Sequence, residues 1–226
     1  PLFFIDTATT EIYTRSLVGS VRCVYETGQL PSATGHIVGM GEHIKRTVEL
    51  LEKTDLEAVS ALVDKLYEAY QDGTRVYICG NGGSAATASH FSEDLAKSTI
   101  KDQTVARRLR VSSLTDSVPF ISALGNDWGY DTIFREQLVT VAEEGDILIA
   151  ISGSGNSPNV VSAVQWASDN GLFTVGFSGV NGGKLKGMVD LSVHSPVLDM
   201  EIAENTHMVV VHLVVSGLRG RINEAV

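Results

Sequence analysis

Residues 75–98 read RVYICGNGGSAATASHFSEDLAKS, and this stretch decides the fold. RVYICG (75–80) is a short apolar run with β-branched and aromatic residues, NGGS (81–84) is a glycine loop, and residues 85–98 have helical character. The unit is therefore strand, loop, helix. DILIAISGSGNSPNVV (146–161) repeats it, with an apolar strand over 146–152, a Gly/Ser loop and a helix from Pro158. LRVSSL (109–114) precedes a helix from Asp116, and LFTVGF (172–177) precedes a glycine turn and a short helix. VDLSVH (189–194) leads into a long helix near 200–224. Five short strands alternating with helices predict a parallel sheet, because parallel strands need crossover connections and bury both faces. The expected fold is α/β: a three-layer α/β/α sandwich with a five-stranded parallel sheet.

Upstream of this stretch, Ile37, Met40, Ile44, Val48 and Leu51 recur at helical spacing. A second run, Leu56, Val59, Leu62, Val63, Leu66 and Tyr70, does the same and stops at Asp72-Gly73. These predict two amphipathic helices, the first with an apolar stripe suited to a partner subunit. Residues 1–35 have weak periodicity, scattered Thr and Ser and a turn signal at 28–31, so they are expected to be an N-terminal extension to a single domain over 36–226. With 226 residues and 43% apolar content, the chain can build one substantial core and is not disordered.

Seventeen Lys plus Arg against 27 Asp plus Glu leave a net charge of −10, which argues against nucleic acid or an anionic membrane as partner. An anionic ligand must then be held by local groups. Two cysteines, Cys23 and Cys79, can build neither a disulfide framework nor a metal cluster, which fits a reducing cytoplasm. PLFFID at the start lacks a basic region and a long apolar core, and no run reaches about 18 apolar residues. Neither an export signal nor a membrane span is expected.

The first loop, Gly80-Asn81-Gly82-Gly83-Ser84-Ala85, matches G-x-G-x-x-A. A dinucleotide site would also need an acid closing the next strand about 20 residues on. Asp102 precedes that strand and Asp116 comes too late. The second loop, Ser152-Gly153-Ser154-Gly155-Asn156-Ser157, places three hydroxyls between a strand and a helix. Hydroxyls and free helix N–H groups form a neutral anion cradle. Without G-K-[ST] the ligand is not a nucleoside triphosphate. Two such loops at the carboxyl ends of parallel strands point to a phosphorylated ligand, with Asn81, Gly82, Ser84, Ser152, Ser154 and Ser157 as candidate contacts.

Taken in order, GNGGSAATASHFSEDL, SLTDS, GNDWGYD, GDILIAISGSGNSPNV, FSGVNGG and AENTHMVVVH resemble the SIS (sugar isomerase) domain and, within it, the bacterial phosphoheptose isomerase family. The likeness runs from about His36 to the C-terminus and implies a flavodoxin-like sheet of the SIS type. It also implies conversion of sedoheptulose 7-phosphate to a heptose 7-phosphate aldose by a cytoplasmic homotetramer, with active sites at subunit boundaries. Ser84, Ser152, Ser154 and Ser157 match the family's phosphate-binding serines, and Asp127 matches a substrate-site aspartate.

Aldose–ketose isomerisation moves a proton between adjacent carbons through an enediolate and needs a base and an acid. The resemblance puts the base at the second acid of H-F-x-E-E-L. Here that run is His90-Phe91-Ser92-Glu93-Asp94-Leu95, so Asp94, one methylene shorter, takes the position. The acid matches His212, eight residues after a glutamine position that Glu204 fills. Asp94, Glu93 and Glu204 all stand as candidates for the base. An arginine of the family is absent, with Lys97 and Ser98 in its region. Some members hold zinc through residues matching His90, Asp94, Glu204 and His212, and two imidazoles with two carboxylates suit that ion. His207 also matches a family position and is expected to be structural or supporting. Two other readings remain: a non-catalytic sugar-phosphate-binding or regulatory protein, and an isomerase of a related phosphoketose such as an octulose phosphate.

Overall fold

The computed structural model describes residues 33–224. It forms two compact units that part between Glu42 and His43, and the second unit carries the whole sheet. The extension expected over 1–35, with its turn at 28–31, lies outside the described residues except for the helix start at Ala33.

Helix α1 (Ala33–Leu51) begins one turn before the apolar repeat that predicted it. Helix α2 (Leu56–Asp72) has the ends its sequence calls for. The Asp55 side chain accepts from the backbone N–H groups of Glu57 and Ala58 at 3.1 and 3.0 Å, a cap contributing about 1 kcal/mol. At the other end Gly73 takes the left-handed conformation (φ 85°) and donates to the Ala69 carbonyl, which closes the helix.

The sheet follows: β1 (Arg75–Gly80), β2 (Arg110–Ser113), β3 (Ile147–Ser152), β4 (Phe173–Ser178) and β5 (Leu191–His194). Every pairing is parallel, in the order β2-β1-β3-β4-β5. The five-stranded parallel sheet expected from the alternation of elements, and the flavodoxin-like arrangement that the resemblance implies, are what the chain forms. The helices between them are α3 (Gly83–Glu93), α4 (Val118–Asp127), α5 (Arg135–Val141), α6 (Pro158–Asp169), α7 (Leu185–Met188) and α8 (Met200–Glu224).

Strand alternation feeds two cores, one on each face of the sheet. Val76 and Ile78 with Ile147, Ile149 and Ile151 pack against α2, α3 and α8. Tyr77 and Cys79 with Leu148 and Ala150 pack against α4 to α7. All six residues of β3 are buried, as a central strand covered on both faces requires.

The helix predicted over 85–98 is not uniform: α3 ends at Glu93 and the chain continues in a π-turn over Asp94–Ser98. The Asp94 N–H is shared between the carbonyls of His90 and Phe91, and the wider π-turn begins at that residue. The connection from β1 leads out to β2 and that from β3 leads the other way to β4, so a crevice opens at the carboxyl ends of these two neighbours. Gly80 pairs with Ile151 in register, so the two glycine-rich loops leave the sheet side by side.

Candidate functional site

Helices α3 and α8 bring together side chains far apart in sequence. His90 and Asp94 share a face of the α3 region at i, i+4, and His212 approaches from α8. The two Nε2 atoms lie 3.0 Å apart. Asp94 Oδ2 lies 3.2 Å from His90 Nε2 and 3.7 Å from His212 Nε2. The imidazoles are about half exposed, whereas the Asp94 carboxylate is only 14% exposed. Both contacts use Oδ2.

One ligand atom from each of these three residues lies within 4.8 Å of the others, a donor set of two imidazole nitrogens and a carboxylate that fits a divalent cation. Glu204 is not in this group. Its carboxyl packs on Gly83, the first residue of α3, where a Cβ would overlap it; only glycine lets the two approach. Burial pushes the Glu204 carboxyl up from its ordinary value, and the charge of Glu201 adds to the effect. The resemblance groups four residues; the fold joins three and sets the Glu204 carboxyl at the start of α3. Glu93, the other candidate base, is exposed and makes no side-chain hydrogen bond or ion pair with the cluster.

The two glycine- and serine-rich loops each run from the end of a strand into a helix, β1 to α3 and β3 to α6. Ser152 is buried and its hydroxyl is 3.1 Å from that of Ser157, the residue before α6. The Ser154 hydroxyl accepts from the Asn156 N–H at 3.2 Å. Ser84 is buried in the first turn of α3, and Gly82 precedes that helix with no side-chain cap, so backbone donors there stay available. Asp127 ends α4, is exposed, and accepts from Asn126 Nδ2 at 2.7 Å.

Asn81 differs from a free ligand contact. Its carboxamide pairs with Asn159 and receives the Tyr130 hydroxyl. Neither partner stood out in sequence. A buried asparagine in the apolar turn PNVVSAV was the available signal. His207 on α8 is fully buried against the Phe177 ring, and neither ring nitrogen has a hydrogen-bond partner among the described residues. That fits the structural role expected of it.

A parallel sheet in this order, with hydroxyl-lined loops leaving β1 and β3, is the frame of a sugar isomerase (SIS) domain, and the SIS domain model matches residues 41–179. The chain belongs to the SIS-domain family of phosphoheptose isomerases. It is 36% identical to the phosphoheptose isomerase of Pelobacter propionicus over 166 residues, 74% of this chain and 86% of that protein. To that of Mycobacterium bovis it is 37% identical, over 75% of this chain and 85% of the relative. The solved phosphoheptose isomerase of Neisseria gonorrhoeae superposes with a TM-score of 0.74 at 27% identity, covering 83% of this chain and 98% of that one. Among the described residues no helix is long and apolar enough to cross a membrane.

Proposed function

We propose that the protein is an aldose–ketose isomerase of phosphorylated sugars, with sedoheptulose 7-phosphate as substrate and a heptose 7-phosphate as product. The observation that carries this reading is the approach of His212 on α8 to within 3.7 Å of Asp94, which lies just past the end of α3, a helix that starts at a glycine- and serine-rich loop. Seven residues separate Gly83 from His90, about 10 Å along the helix axis, so the chain offers an anion cradle and an acid–base group at opposite ends of one element. A phosphorylated sugar has the same two-ended chemistry.

Ser84, Ser152, Ser154 and Ser157 bind the phosphate through hydroxyls, helped by the backbone donors of Gly82 and the first turn of α3. Asn81 shapes this loop and Asp127 takes a sugar hydroxyl. Asp94 is the base: Oδ2 faces the imidazoles and leaves Oδ1 for the proton on the carbon beside the carbonyl. His212 is the acid. Its Nε2 is turned toward His90 and Asp94, so the proton is handed over at Nδ1 or through water. Glu204 lines the site beside Gly83.

His90, Asp94 and His212 are the residues that would hold a divalent ion, zinc by the chemistry of the donor set. Bound there, the ion supplies Lewis-acid polarisation of the sugar oxygens. A homotetramer is part of the same reading, supported by exposed Ile44 and Val48 on α1 and Val209 and Leu213 beside His212 on α8. A cytoplasmic setting is supported by the free, buried Cys79 and the absence of any cysteine cluster in the sequence.

The test is NMR observation of sedoheptulose 7-phosphate with the protein, with and without zinc. Exchange of the proton beside the carbonyl and appearance of the aldose support the reading. Saturable binding with no exchange would instead favour a sugar-phosphate-binding protein, and exchange only with an octulose phosphate would shift the substrate assignment.

A further inference from the structure

We propose that Asn159 and Tyr130 are positioning residues, which clamp the Asn81 carboxamide and thereby hold the first anion loop at a fixed spacing from the second. The proposal rests on the reading of the site as a sugar-phosphate isomerase.

Asn159 is the second residue of α6 and is 1% exposed. Its carboxamide and that of Asn81 form a reciprocal pair across 78 residues of sequence. Asn81 Nδ2 donates to Asn159 Oδ1 at 2.8 Å, and Asn159 Nδ2 donates to Asn81 Oδ1 at 2.8 Å. Tyr130 Oη donates to the same Asn81 Oδ1 at 3.0 Å. The carboxamide oxygen thus has two donors for its two lone pairs.

The polarity of this network is set from one end. The Val160 N–H, in the first turn of α6, lacks an intrahelical acceptor and donates to Asn159 Oδ1 at 3.0 Å. That fixes which atom of Asn159 is the oxygen. Asn159 Nδ2 must then face Asn81 Oδ1, and Tyr130 must donate rather than accept. With the buried Asn159 at its centre and its members paired, the network holds the Asn81 carboxamide in one orientation, and removing Asn81 or Asn159 leaves the other's amide without its partner.

Three segments meet at this carboxamide. Asn81 opens the loop after β1, Asn159 lies two residues past Ser157 in the loop after β3, and Tyr130 lies three past Asp127. The clamp therefore spans the crevice at the switch between β1 and β3 and ties both anion loops to the segment carrying Asp127. Hydroxyls and N–H groups from separate loops bind one phosphate only if their spacing is held, and such geometry is supplied by residues behind the contacts. Asn81, expected from sequence as a ligand contact, has its oxygen committed to this task.

Binding lost equally from ground state and transition state raises KM and leaves kcat alone. A merely structural defect lowers kcat per milligram by reducing the folded fraction and leaves KM alone. The full chain carrying Tyr130→Phe, Asn159→Asp, Asn159→Ala, Asn81→Ala and the Asn81→Ala/Asn159→Ala pair is assayed with sedoheptulose 7-phosphate, with thermal unfolding measured alongside. Asn159→Asp, which sets a carboxylate oxygen against Asn81 Oδ1, is expected to raise KM about tenfold or more with kcat within about threefold of wild type. Tyr130→Phe, at an exposed position and able to fold, is expected to raise KM about two- to fivefold at an unchanged unfolding temperature. The double variant is expected to be no worse than the worse single one, because one pair is lost in each case.

Unchanged KM in Tyr130→Phe and in every Asn159 variant that folds, or fully additive losses, would overturn the clamp. If wild type turns over no sugar phosphate, the isomerase reading fails separately. The clamp is then read from the Kd for inorganic phosphate in the same variants: a rise of about tenfold in Asn159→Asp supports it, and no change rejects it.

Discussion

The Nε2 atoms of His90 and His212 face one another at 3.0 Å, with Asp94 Oδ2 beside them at 3.2 and 3.7 Å. Two ring nitrogens at this distance either share one proton or turn both lone pairs to a common cation. The rings meet edge to face, with centroids 5.1 Å apart.

Zinc is expected to bind in a one-to-one ratio per chain, and His90→Gln or His212→Asn to lower its affinity by at least about tenfold. Metal analysis after dialysis checks this. Retention of zinc by both variants would place the ion elsewhere.

Asp94→Asn and Glu204→Gln separate the two carboxylates. The first removes the proposed base and is expected to lower kcat by about 10²- to 10⁴-fold. Glu204→Gln leaves the Asp94 and imidazole cluster intact and is expected to keep kcat within about threefold of wild type. Steady-state kinetics with measured metal content decides. The reverse pattern would make Glu204 the base.

Ser154→Ala and Ser157→Ala each remove a hydroxyl donor to an oxyanion, a charge-assisted bond contributing about 1.5–3 kcal/mol. Both sit at the loop rather than in the core, so thermal unfolding should barely move. Calorimetric titration with a sugar phosphate is expected to show affinity about tenfold lower or worse for each.

His207 links pH to stability. Burial pushes its imidazole down to about 4, against a weaker opposing pull from the Ser178 backbone and with His194 acting in the same direction as burial. Between pH 6.5 and about 4 the unfolded chain takes up a proton that the folded chain refuses. Stability contributed at this site is thus fully present above pH 6.5, falls as pH is lowered, and levels off below about 4. The loss amounts to at most about 3 kcal/mol. Denaturant unfolding of wild type and His207→Gln across this window checks it: the difference between them should grow with pH, and a constant difference would remove His207 as the cause.

Leu213, 42% exposed and adjacent to His212, is expected to lie in the contact between subunits. Leu213→Glu should therefore split the oligomer in light scattering and depress turnover together. A wild-type monomer at micromolar concentration would rule out a subunit contact at Leu213.

The order of elements and the two glycine- and serine-rich loops were legible in the sequence because their causes are local. A parallel strand buried on both faces leaves a continuous apolar run, as in ILIAIS, and a strand turning sharply into a helix leaves glycine and serine, as in GNGGS and SGSGNS. Asp55 and Gly73 mark the ends of α2 for the same reason: cap and stop act within a few residues. The family was legible too, since its motifs are runs of neighbouring residues.

What tertiary structure alone decided is which distant side chains meet. His90 and His212 are 122 residues apart, and Asn81 and Asn159 are 78 apart. The crossing of α3 and α8 joined His212 to Asp94 and set Glu204 on Gly83 instead, although Glu204 and His212 lie on one helix. Eight residues on a helix of 3.6 per turn fall about 80° apart around the axis, so one helix could direct the two side chains to different neighbours. The π-turn over Asp94–Ser98 was equally hidden: its Leu95 is buried in the core shared with α8 and the sheet, a contact that the residues of the turn do not announce.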